Sequence, residues 1–95
     1  MRPVEWRQAK GTVRTSAGQP IADCQVDVVA VTPGTWVLEV AVFSDALGRW
    51  QLRLEANADY QLVAYREPER EDRRVSIRGG RDDIEDIDII IDIDR

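Results

Sequence analysis

The chain has 95 residues, 43% of them hydrophobic, enough for one domain with a single core, which argues against both wholesale disorder and a two-domain protein. Its net charge of -5 is local: the segment from Arg81 to Arg95 holds seven acids against two arginines and accounts for all of it. With no basic cluster to hold a phosphate backbone or anionic lipid, nucleic acid is not an expected partner, and no apolar run approaches the roughly 20 residues needed for membrane insertion.

The N-terminal "MRPVEWRQAK" carries basic residues with no hydrophobic stretch behind them, so no signal peptide is visible. The expectation is a cytoplasmic protein if the chain is full-length, and an extracytoplasmic one if it is a piece of an exported protein. Residues 1–7 read as an N-terminal extension and residues 8–95 as the domain.

Alternation by two runs through almost the whole chain, and helical spacing is nearly absent. Ala9, Gly11 and Val13 alternate with Lys10, Thr12 and Arg14 in a first strand. Gly18 and Pro20 break the pattern, after which Cys24, Val26, Val28 and Ala30 form one face of a second strand. "TPG" at Thr32 to Gly34 turns the chain into "WVLEVAVF", a third strand apolar on both faces except at Glu39. Such a strand is either covered on both sides or lies beside a partner.

In "SDALGRWQLRL", Asp45 is placed to accept bonds from the amides that follow it, and Gly48 to take a positive φ that closes a short hairpin loop. Trp50, Leu52 and Leu54 then face inward. Tyr60, Leu62 and Ala64 line a fifth strand, with Val63 and Tyr65 on its other face, and Val75 and Ile77 a short sixth one. Between these two lies the balanced charged loop from Arg66 to Arg74, which is expected to be solvated.

The closing stretch "DDIEDIDIIIDID" poses a choice between a cation site and a strand. Ile87, Ile89, Ile91 and Ile93 fall on one face, with Asp88, Asp92 and Asp94 on the other. That is the pattern of a half-buried final strand whose wet aspartates block pairing with another molecule. A straight strand spreads its carboxylates, whereas calcium needs converging oxygens from a curled loop. The turn acids Asp82, Asp83, Glu85 and Asp86 are therefore the better calcium candidates. If Arg73 to Ile89 forms a hairpin, Arg74 and Arg78 share the wet face with Asp86 and Asp88.

Seven short strands separated by Gly and Pro turns predict an all-β, seven-stranded antiparallel sandwich of two sheets. Its expected core is Val13, Val26, Val28, Val40, Val42, Trp50, Leu52, Leu54, Tyr60, Leu62, Val75, Ile77, Ile87, Ile89 and Ile91.

The motifs "GTVRTSAGQPIADCQVDVVA", "VAVFSDALGRWQLRL" and "DYQLVAYRE" occur in an order and spacing that resembles the carboxypeptidase regulatory-like domain, an Ig-like, transthyretin-like (prealbumin-like) Greek-key sandwich. Gly11, Val13, Gly18, Pro20, Ile21, Val26, Asp45, Gly48, Trp50, Tyr60 and Leu62 hold the matching positions, and the resemblance runs from Gln8 to Ile93. It departs at Trp50, where that family more often has Tyr or Phe, and in the Ile/Asp-rich end. The resemblance implies an accessory domain that accompanies other modules as a rigid spacer or contact surface.

Catalysis finds little support in the residues. There is no histidine to act as a base near neutral pH, and one cysteine without imidazole builds no familiar zinc centre. Transthyretin-like enzymes acting on 5-hydroxyisourate depend on histidines and a C-terminal Tyr-Arg-Gly-Ser, and this chain has neither. No cofactor is expected. Cys24, in line with Val26 and Val28, reads as a small buried hydrophobe, and Asp45 as a backbone cap. The leading expectation is a non-catalytic module that binds a protein partner, with an edge strand that leaves room for weak self-association. Carbohydrate binding through exposed Trp6 and Trp36 is a second reading, and calcium-dependent adhesion through the acidic end a third.

Overall fold

A computed structural model of the chain describes residues 3–66 and 72–91. Period-two patterning becomes seven strands, β1 (Trp6–Thr15), β2 (Gln25–Ala30), β3 (Ala41–Phe43), β4 (Arg49–Glu55), β5 (Tyr60–Tyr65), β6 (Arg73–Ile77) and β7 (Ile84–Ile91), with no helix among the described residues. They form a three-stranded sheet in the order β4-β1-β7 and a four-stranded sheet in the order β3-β2-β5-β6. The two inner faces enclose one core, so the chain is a β-sandwich. Trp6 and Arg7, placed before the domain by the sequence, open β1.

The clearest alternation is in β4, where Trp50, Leu52 and Leu54 are buried and Arg49, Gln51 and Arg53 are exposed. Val13, Val26, Leu62, Ile89 and Ile91 meet them from β1, β2, β5 and β7. Burial of each large aliphatic side chain contributes about 1.5 to 3 kcal/mol, which makes this layer the main source of stability. Asp45 and Gly48 shape the turn before β4 as expected. The Asp45 Oδ1 accepts the amides of Leu47 and Arg49 at 2.9 and 2.8 Å, and Gly48 has φ 75°. The strands it joins lie in different sheets, however, so the turn is an arch between layers where a hairpin loop was expected.

Three expectations are corrected. First, the sheets are not wholly antiparallel, since β7 runs parallel to β1, with Val13 opposite Ile89 and Thr15 opposite Ile91. Second, β6 and β7 are not a hairpin: β6 pairs with β5, and the chain then crosses to the other sheet. The cause of both is the crossover at Arg78 to Asp83, which carries the chain between layers and delivers it beside the start of β1. The crossover is held by the Arg7 guanidinium, which donates to the carbonyls of Arg78 and Asp82.

Third, the expected strand "WVLEVAVF" is regular only at Ala41–Phe43. The amide of Val28 still donates to the Val40 carbonyl at 2.9 Å, but the chain bends at Val40 and leaves the ladder. Val40, expected in the core, is exposed as a result. On β7, Ile87, Ile89 and Ile91 face inward as expected, and a bulge precedes them. Between Ala9 and Gly11 lies one residue, whereas between their partners Ile84 and Ile87 lie two, Glu85 and Asp86. Asp86 takes φ 60° at this bulge, which restores the inward alignment of Ile87, Ile89 and Ile91. Ile93, Asp92 and Asp94 lie outside the described residues.

Candidate interaction surface

The irregular segment from Trp36 to Val40 bridges the edges of the two sheets. Its backbone and one carboxylate hold it there: the Trp36 amide donates to Glu55 Oε1 at 2.9 Å and the Trp36 carbonyl accepts from the Tyr60 hydroxyl at 2.6 Å. Glu39 Oε1 accepts the otherwise edge-facing amide of Arg53 at 2.9 Å. Val37 turns inward against the core. The residues between these anchors must then point outward, and they are apolar. Trp36 is 64% exposed, Leu38 45%, Val40 71% and, one bend later on β3, Phe43 61%.

This row continues onto the outer face of the four-stranded sheet. Phe43 faces Gln25, which faces Tyr65, and exposed Val29 on β2 and Val31 just past its end follow. Val63 shares that outward face opposite Asp27 and Arg74, yet it is buried. Its neighbours are long polar side chains, including the pair Arg74 Nη1 to Gln61 Oε1 at 2.6 Å, and such stems cover apolar surface. On β3, the ladder bonds at Val40 and Ser44 leave the intervening Ala41 and Phe43 with backbone groups facing away from β2. An apolar row thus borders a short open sheet edge.

The other sequence-derived candidates do not converge. Trp36 lines a groove of about 450 Å³ with Glu5, Glu55, Asn57 and Arg81, but Trp6 does not. Among the turn acids, the Asp82 carbonyl accepts from Arg7, Asp83 Oδ1 accepts the Gln8 amide at 2.9 Å, and Glu85 and Asp86 occupy the bulge. No group of three or more ligating side chains suited to a metal ion occurs among the described residues. Within the charged loop, the Arg66 amide donates to Asp72 Oδ2 at 2.9 Å, while residues 67–71 lie outside the described residues.

Cys24 is buried, and its thiol donates to the Tyr65 carbonyl at 3.3 Å. Burial, followed by the nearby Asp72 carboxylate, pushes its pKa up and favours the protonated, unreactive form. Asp45 is held below the usual carboxylate range, first by the Arg49 amide. Tyr60 is pushed up by burial.

A second groove, of about 620 Å³, crosses the outer face of β4, β1 and β7 and is lined by Lys10, Thr12, Arg49, Gln51, Asp86 and Asp88, among others. Within it the Thr12 hydroxyl donates to Asp88 Oδ1 at 2.8 Å, and Arg14 bonds Oδ2 at 3.1 Å. These bonds, Thr12 first, lower the Asp88 pKa. A carboxylate so stabilised is a poor base, so the pair orders the surface and is not poised to activate the hydroxyl.

Arg7 is the residue that the sequence reading missed. Its side chain is only 5% exposed, under the β6–β7 crossover. The available signal was its parity with Ala9, Gly11 and Val13, which places it on the inward face of β1.

No protein-family model matches the chain, and no curated protein does. Among solved structures, it is similar to chlorocatechol 1,2-dioxygenase from Pseudomonas putida, with a TM-score of 0.66 at 11% sequence identity. The match covers 98% of this chain and 62% of that one. At this identity the likeness concerns the fold alone.

Proposed function

We propose that this chain is a non-catalytic accessory module, a spacer or protein-interaction domain of the transthyretin-like, carboxypeptidase regulatory-like Greek-key kind. The observation that carries the reading is the outward row of Trp36, Leu38, Val40 and Phe43 beside the β3 edge. A fold that needed these side chains would bury them. Instead the bridging segment spends its polar groups on holding the sheet edges and leaves four large apolar groups in water, as an interaction patch does. The absence of histidine supports a non-catalytic role. A photo-reactive amino acid at Val40 tests it in the cells that make the protein. Adducts with one defined protein at Val40, and none with the probe at exposed Ser16 in the turn after β1, support the reading. Equal or absent labelling at the two positions rejects it.

Carbohydrate binding is a second reading, favoured by one observation: the exposed Trp36 ring shares a groove with two carboxylates, an amide and a guanidinium. Sugars stack on such rings and bond such groups. Saturable change of tryptophan emission on titration with soluble oligosaccharides, lost in Trp36→Ala, would favour it over the protein-docking role.

A further inference from the structure

We infer that the opposite side of the sandwich, formed by β6 and β7, is a self-complementary edge at which a second copy of this chain docks, β7 of each copy pairing with β6 of the other. Among the described residues β6 pairs only with β5 and β7 only with β1, so each is the outer strand of its sheet on this side. The two edges run in opposite directions. Arg7 bonds both Arg78 at the end of β6 and Asp82 just before β7, and the Gly79 amide bonds Asp59, so the crossover stays at one end of the sandwich.

The charges on these edges are opposite in sign. The wet face of β7 carries Glu85, Asp86 and Asp88, and β6 with its first following residue carries Arg74 and Arg78. Lys10, opposite the bulge, and Arg14 balance part of the acidic side from within the sheet. A second β7 against β7 would set acids against acids, the only pairing the wet aspartates block, and β6 against β6 would set arginines against arginines. A half-turn about an axis along the strands avoids both. It sets β7 antiparallel to β6 of the second copy and, at the same time, β6 antiparallel to its β7. With Asp88 opposite Ser76 of the second copy, Asp86 faces its Arg78, and Asp88 lies diagonal to both its arginines, within reach across a ladder. Both edges are used in one contact, so the assembly closes as a dimer and does not propagate as a fibre. This surface is separate from the β3-side row.

Sedimentation velocity on the full chain at about 0.1 mM, where weak edge contacts populate, should show a dimer. Arg74→Glu/Arg78→Glu should raise the dissociation constant at least about tenfold, and so should Glu85→Lys/Asp86→Asn, in which Asn suits the left-handed backbone. Mixing the two variants should restore the dimer, because acidic edges then meet basic ones. Melting curves confirm that each variant folds. Independently of any variant, amide exchange in β6 and β7 of the parent should slow with concentration while that of β3 does not. A monomeric parent, a dimer indifferent to both variants, or concentration-dependent protection at β3 alone overturns the proposal.

Discussion

The carbonyl of Ile87 occupies the space where a Cβ on Gly11 would stand. The two residues face each other across the parallel β1–β7 pair, just past the bulge at Glu85 and Asp86. Backbone, unlike a flexible side-chain end, cannot yield cheaply there. Gly11→Ala should therefore destabilise the domain by about 1 to 3 kcal/mol, the usual cost of overpacking, measured by urea unfolding. An unchanged midpoint would mean that β7 does not dock on β1 in this register.

Arg7 secures the crossover that sends β7 to its sheet. Arg7→Ala would leave the Arg78 and Asp82 carbonyls without their donor and open a hole beneath the loop, at a cost of about 1 to 3 kcal/mol. Arg7→Met keeps most of the volume without the charge and should cost less, because a buried cation also bears a desolvation penalty. Denaturant curves for the two variants test the order, and a larger loss in Arg7→Met contradicts it.

Trp50 and Trp36 should divide by role. Trp50 is packed in the core, so Trp50→Ala should cost about 3 to 5 kcal/mol and leave a marginal domain largely unfolded. Trp36→Ala removes an exposed ring and should change stability by no more than about 0.5 kcal/mol. Thermal melts of the pair decide this, and equal losses would place Trp36 in the core.

The pH dependence has a sign at each end. Asp45 and Asp88 have folded pKa values below their usual 3.8, so the unfolded chain binds protons first on acidification. Their contribution is full above that value and is lost as the pH falls through the depressed one. Cys24, raised above 9.0, works the other way: its contribution is complete below 9.0 and is lost as the pH rises through the folded value. The native thiol should therefore resist a chromogenic disulfide reagent at pH 8 and react only after denaturant is added. Rapid reaction of the folded protein would contradict its buried, protonated state.

What the sequence made legible was local. Trp50, Leu52 and Leu54 alternate within one strand, and Asp45 with Gly48 specifies a turn within five residues, so both could be read without knowing any partner strand. The β1–β7 pairing joins the two ends of the fold, and its one trace in the sequence is Gly11, whose missing side chain reads equally well as a turn or bulge signal. Val40 was misplaced for a related reason. Counting by two assumes an unbroken strand, and the bend that admits Glu39 to the Arg53 amide reverses the parity of everything before it. The apolar character of both faces of "WVLEVAVF" was nevertheless visible. Arg7 fell in the expected N-terminal extension, and its partners are carbonyls, which a sequence does not display.

The most direct measurement of the central claim is equilibrium unfolding of Val40→Asp/Phe43→Asp, paired with the native mass of the same variant isolated from the cells that make it. If these side chains serve a partner and not the core, the purified variant should unfold within about 0.5 kcal/mol of the parent, while the larger complex containing the parent chain is missing. A loss of several kcal/mol would return the row to the core, and a variant retained in the same complex would show that the partner docks elsewhere.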